Sequence, residues 1–183
     1  AIGPGANSEY GDSYDVMGGG GVPKDHYNAA AKVQVKWLPS SYVQNVTGSG
    51  LYRIYAFDQP SLDPRNRYAM TITKDSLRTY WGEVRQNYNG DSGRPWADKG
   101  MILGWKYPSG SGGNIQLIDT TPGSPYIKDD AAIAVGSTFS DTEAGIHITT
   151  VGVSDTTPKY VDVIVNIGDF AGNHAPTLVL ETS

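Results

Sequence analysis

From Tyr42 onward apolar positions recur at every second residue, the spacing at which side chains share one face of an extended strand. The segments 42–47, 51–57, 67–73, 78–86, 100–106, 114–119, 132–135, 145–153 and 159–167 all carry it. Thr47-Gly48-Ser49-Gly50, Asp63-Pro64-Arg65-Asn66, Asn89-Gly90-Asp91-Ser92-Gly93 and Pro108-Ser109-Gly110-Ser111-Gly112-Gly113 separate them with turn chemistry, so the connections should be mainly antiparallel. This predicts a mainly β fold, an antiparallel β-sandwich of Ig-like or jelly-roll-like kind with about nine strands over residues 40–170. Aromatic residues on both faces of 51–57 predict a central or covered strand. In 159–167, Val161, Val163, Val165 and Ile167 alternate with Tyr160, Asp162, Ile164 and Asn166, the mark of a half-buried one.

The front of the chain has a different rhythm. Residues 1–22 are Gly-rich and aperiodic, a loop. Pro23, a capping Asp25, the stripe Ala29, Val33, Trp37 and the stop at Pro39 predict one short helix of about three turns.

Composition narrows the picture. Among 183 residues, 23 Gly and 11 Pro against three Met fit short strands and tight turns rather than a helical bundle. A net charge of -5 without a Lys/Arg cluster argues against nucleic acid as a partner. The absence of Cys excludes a disulfide framework, a thiolate nucleophile and Cys-ligated metal. No apolar stretch reaches the length of a membrane span. The Gly/Ser/Thr/Asn/Tyr-rich composition predicts a secreted or cell-surface, bacterial protein. The start without Met and the Asn173-His174-Ala175-Pro176 stretch are read as cut ends, with 171–183 a linker to a further domain.

The chemistry concentrates before the first strand. Glu9-Tyr10-Gly11-Asp12-Ser13-Tyr14-Asp15-Val16-Met17-Gly18 resembles the methionine turn of gametolysin-like secreted metallopeptidases, with Asp15-Val16-Met17-Gly18 similar to its Asp-Val-Met-Gly core. His26-Tyr27-Asn28-Ala29 through Trp37-Leu38 looks like the His-aromatic-Asn-Ala…Lys…Leu-Gly-Trp-Leu helix that follows in that group. The resemblance implies a metzincin architecture. There a His-Glu-x-x-His helix and a third ligand hold zinc above an apolar methionine floor, and a zinc-activated water cleaves peptide bonds. It implies that Met17 would support the zinc ligands while Asp12 and Asp15, beside Gly18, fix the loop by side-chain to backbone hydrogen bonds. Residues 1–39 would then be the end of a peptidase domain.

The chain also departs from that pattern. It contains no His-Glu-x-x-His, and its histidines, His26, His147 and His174, are far apart. Catalytic residues and metal ligands are therefore expected to be absent from this fragment, zinc and the peptide or protein substrate belonging to a catalytic region outside it. Some metzincins place a Tyr two residues after the turn methionine, where this chain has Gly19; Val35-Lys36-Trp37 stands where relatives have Leu-Gly-Trp, which bears on close helix packing.

Arg53-Ile54-Tyr55-Ala56-Phe57-Asp58, Tyr80-Trp81-Gly82-Glu83-Val84-Arg85 and Leu117-Ile118-Asp119-Thr120-Thr121-Pro122-Gly123-Ser124 are similar to the accessory sandwich of the same group. Glu83 and Arg85, two apart on one strand face, read as an ion pair rather than a catalytic carboxylate. Asp91, Asp98, Asp119, Asp129, Asp130, Asp141 and Glu143 sit in or beside turns, where a pair could converge for acid/base work or calcium, although no Asp-x-Asp-x-Asp-Gly loop occurs. No Gly-x-Ser-x-Gly elbow supports a serine nucleophile. Four Trp and twelve Tyr support an alternative, a non-catalytic extracellular module binding carbohydrate or protein, with Trp96 as the candidate ligand contact and Trp81 and Trp105 in the core.

Overall fold

The computed structural model describes residues 10–12, 14–18, 26–86, 98–106, 115–126 and 129–169. Trp96, Asp91, His174, the 171–183 segment and the Pro23 and Asp25 helix start lie outside the described residues. What is described is mainly β: two mostly antiparallel sheets and one short helix.

Helix α1 covers Ala29–Gln34 and is shorter than the periodicity predicts. Asn28 caps it, its side chain accepting from the Ala31 N–H at 2.8 Å. Its end comes well before Pro39. Lys36 has φ 63°, the Lys36 N–H donates to the Val33 carbonyl at 3.1 Å, and the Trp37 N–H donates to the Lys32 carbonyl at 2.8 Å. These are the two bonds of a Schellman closure, so a left-handed residue at 36 stops the helix.

The larger sheet runs β1 (Val43–Val46), β3 (Ala69–Thr73), β4 (Thr79–Glu83), β5 (Gly100–Lys106), β6 (Ile115–Leu117), with β7 (Ile133–Ala134) also pairing β5. The smaller runs β2 (Gly50–Tyr55), β10 (Tyr160–Ile167), β9 (Ile146–Val153), β8 (Thr138–Asp141). All pairings are antiparallel except β1 with β3. One apolar cluster draws Met70, Ile72, Tyr80, Leu103 and Trp105 from the first sheet and Ile54, Ile148, Val161, Val163 and Val165 from the second. Each such fully buried aliphatic side chain contributes roughly 1.5–3 kcal/mol.

Two strand readings change. β2 has only β10 beside it among the described residues, so it is an edge strand rather than a central one. Its second set of side chains is covered only in part: Arg53 pairs bidentately with Asp162 on the neighbouring strand, whereas Tyr55, which meets Tyr160 at 5.4 Å, also packs with Tyr68 against the cluster that buries Phe57. In β10, Val161, Val163 and Val165 are buried as the alternation predicts, while Ile167 at the strand end is exposed. Trp105 is buried and Trp81 half-buried.

The larger sheet is covered on its other face too. Ala29, Leu38, Phe57, Tyr68 and Ala69 form a second cluster against Trp81, and Tyr14 packs with Ile102, Ala131 and Ala132. Coverage on both sides is why β5 is buried along nearly its whole length.

Candidate functional site

The turn at residues 14–18 and the start of α1 form one hydrogen-bonded unit on the outer face of β4 and β5. Asp15 is its hub. One carboxylate oxygen accepts from the Met17 N–H at 2.8 Å; the other accepts from the Asn28 N–H at 3.1 Å and from the Asn28 side-chain amide. Asn28 in turn caps α1. Asp12 accepts from the Tyr14 N–H at 2.8 Å, an Asx turn that sets the approach to the bend. The Gly18 N–H donates to the Asp15 carbonyl at 2.8 Å, and a Cβ at Gly18 would stand 2.1 Å from the Asp12 carbonyl oxygen. Only glycine fits there.

The sheet receives this unit through Glu83 and Arg85, both buried and paired at 2.9 Å. The expected ion pair is present, and it has a further role. Glu83 accepts from the Ala29 N–H at 2.5 Å, an otherwise unpartnered donor of the first helical turn, and Arg85 donates to the Tyr14 carbonyl at 2.9 Å. Tyr14 itself donates through its hydroxyl to the Asp129 carbonyl. Burial works against the Arg85 charge, but Glu83, Asp58 and Asp12 outweigh it and raise its pKa.

The electrostatics beneath the turn are uneven. Burial, with Glu83 and Asp15 adding to it against the Tyr14 N–H and Arg85, pushes the Asp12 carboxyl up to about 6. Burial, Lys32 and Arg85 together hold the His26 imidazole down at about 4. The neutral ring accepts from the Lys32 ammonium at 2.9 Å, and Lys32 and Arg85 lie 4.7 and 4.5 Å from the Phe57 ring centroid. Burial and Arg85 lower Lys32.

Met17 stands at the tip of the turn with 66% of its surface exposed, and Val16 beside it is exposed as well. Within the described residues the thioether floors nothing. Trp37, 65% exposed, meets Tyr27 edge-on at 5.4 Å.

Elsewhere the acidic candidates are engaged locally. Asp98 accepts from Lys159 at 2.5 Å and sits 3.3 Å from Lys99. Asp119 and Asp130 converge on one hydroxyl, that of Thr121, at 3.2 and 2.9 Å. His147 is buried with Nδ1 3.0 Å from the Ser140 hydroxyl. Asp141 and Glu143 do come together, around Lys74. No three His, Asp or Glu side chains gather as metal ligands among the described residues. His26, the histidine near the turn, is flanked by the cations Lys32 and Arg85.

The Glu83–Arg85 pair as receptor for the loop escapes sequence reading, because it depends on contacts between distant segments; the Asn28 cap is a local signal, an Asn three residues ahead of the N–H it accepts, that the choice of Asp25 passes over. No family model, no curated protein and no solved structure matches this chain.

Proposed function

We propose that this chain is the C-terminal region of a secreted, gametolysin-like zinc metallopeptidase of bacterial origin, contributing the methionine turn and an accessory β-sandwich but no catalysis of its own. The observation that carries this reading is the Asp15 hub. Its carboxylate ties Met17 to Asn28, so the two stretches that resemble the family become one unit, and Asp12, Asp15, Gly18 and Asn28 are the residues its geometry demands. A sequence likeness confined to residues that serve one bend is what an inherited structural motif leaves. The exposed Met17 side chain has the apolar, polarisable surface that a covering catalytic helix would use. Zinc ligands belong to that helix, and the residues here position the bend beneath it.

The sandwich is inferred from the single apolar cluster shared by the two sheets. A non-catalytic carbohydrate- or protein-binding module is the second reading, supported by the exposed Trp37 against Tyr27.

The test is a longer gene product. The coding sequence ahead of Ala1 is expected to encode His-Glu-x-x-His, and the extended protein to bind zinc and cleave casein until a chelator is added. An upstream region without that helix defeats the peptidase reading. Glycan binding that is lost in Trp37→Ala or Trp96→Ala then favours the second.

A further inference from the structure

Lys74 and Asp141 form a buried pair between the two sheets, their side chains 3% and 6% exposed. Lys74 follows β3 of the larger sheet, and Asp141 closes β8 of the smaller one. The groups around them are arranged for more than an ion pair. The Tyr80 hydroxyl, from β4, donates to Asp141 Oδ2 at 2.6 Å, and the Ala144 N–H donates to Oδ1 at 3.1 Å, so each carboxyl oxygen has its own donor. The Glu143 carboxylate lies 3.6 Å from Lys74 Nζ and is 86% exposed. Phe139 stands edge-on to Tyr80 at 5.5 Å.

We propose that this is a self-modification site at which Lys74 and Asp141 condense into an intramolecular isopeptide bond that joins the two sheets covalently. The resting pair is ionic. Burial alone would raise the Asp141 carboxyl, but Lys74, Tyr80 and Ala144 hold it below the usual carboxylate range. Moving one proton along the hydrogen bond gives a neutral amine and a neutral acid, a change that a dry, low-dielectric site favours more than water does. The Nζ lone pair then attacks Asp141 Cγ. The oxyanion that develops on Oδ1 meets the Ala144 N–H, while the Tyr80 hydroxyl holds Oδ2, the protonated oxygen that departs; burial together with the Asp141 charge keeps the phenol protonated as a standing donor. Glu143 takes the proton released from the attacking nitrogen and passes it to the departing hydroxyl. The ammonium has given up two protons and the carboxylate one oxygen. One amide and one water result, with no oxidant or co-reactant and no change in net charge, and the exposed Glu143 side marks the way out for the water.

Intact-mass spectrometry of the folded chain is expected to read one water below the sequence mass, and digestion to yield a branched peptide joining the Lys74 and Asp141 segments. Lys74→Ala and Asp141→Ala chains, whose masses can be read folded or unfolded, are expected at their full sequence masses. Glu143→Gln leaves the pair in place and is expected to slow the water loss about 10²-fold or more. The linked chain is expected to melt roughly 10 °C above unlinked Glu143→Gln, as for a covalent loop of this span. A folded parent chain at full sequence mass overturns the proposal, and so does a water loss that persists in Lys74→Ala.

Discussion

Glu83 with Arg85 and Lys74 with Asp141 are both buried ion pairs, yet they hold different things. The first lies on the outer face of the larger sheet, both partners from one segment, and their remaining hydrogen-bonding groups reach backbone atoms of Tyr14 and Ala29. The second draws its partners from different sheets, and an aromatic hydroxyl is its chief neighbour. The irregular front segment brings few apolar side chains to the sheet, so charges that satisfy its backbone take the place of a core. The two sheets already share an apolar cluster, so the Lys74 pair adds a clip to a contact that exists without it. What a buried pair does for a fold follows from the groups it satisfies more than from its Coulomb energy.

The largest effect should come from breaking the first pair. Arg85→Met leaves the Glu83 carboxylate buried without its partner and removes a donor to the Tyr14 carbonyl, for an expected cost of about 3–5 kcal/mol in urea unfolding. Glu83→Gln combined with Arg85→Met should recover part of that loss, because no uncompensated charge remains. A cost below about 1 kcal/mol for Arg85→Met would erase the contrast between the two regions.

Asp15→Ala probes the same region one step out. It strips the acceptor from Met17 and Asn28 and should cost about 2 kcal/mol. Hydrogen exchange is the better readout: amides of 14–18 and 26–34 should exchange faster while β9 and β10 keep their protection. Uniform acceleration across both sheets would mean that the turn is part of the global core.

The pH profile sharpens the comparison, since the front region contains two oppositely shifted groups. Asp12 titrates near 6 when folded against 3.8 unfolded, so the folded state holds the extra proton; its stability is present below about 4 and lost as pH rises towards 6. His26 titrates near 4 against 6.5, so its stability is present above about 6.5 and lost as pH falls towards 4. The slopes oppose, each on the order of 1–2 kcal/mol after allowance for partial exposure. Asp12→Asn should therefore unmask a Tm that rises with pH across this window, and His26→Gln one that falls. The carboxylates held low by their partners, among them Asp75 and Asp98, are present in all three proteins and cancel in the difference. Variants that both follow the parent profile would refute these shifts.

How much of this could be read from residues alone varies with the range of the contacts. β10 was legible because its alternation persists over eight residues, and β9 because it is rich in β-branched residues, although its phase slips where the register with β10 shifts between Asp162 and Val163. β8 was not: Thr138-Phe139-Ser140-Asp141 carries one apolar side chain, too little for a period. The nine strand readings each overlap an observed strand, whereas the parallel β1–β3 pairing has no local signature. At the front, Asp12, Asp15 and Gly18 were legible as loop-fixing residues because Asx and glycine chemistry is local. Lys74 was not legible as a partner of Asp141, since the two positions come from different sheets, far apart in sequence.

The smallest effect lies at residue 36, where a likeness in sequence can be turned into a backbone measurement. The motif this segment resembles in sequence has glycine at the corresponding position, and Lys36 occupies the left-handed position that closes α1, at φ 63°. An L residue in that conformation costs about 1 kcal/mol, and glycine avoids it while losing more entropy on folding, so Lys36→Gly should gain roughly 0.5 kcal/mol, or about 1–2 °C in Tm. Lys36 is exposed, so no packing is lost with its side chain. Lys36→Ala is the matched control: it shortens the side chain, keeps the strain and should gain nothing. Equal gains in both variants would mean that the lysine side chain, not its backbone, disfavours the fold, and the glycine of the resembling motif would then serve something other than the helix end.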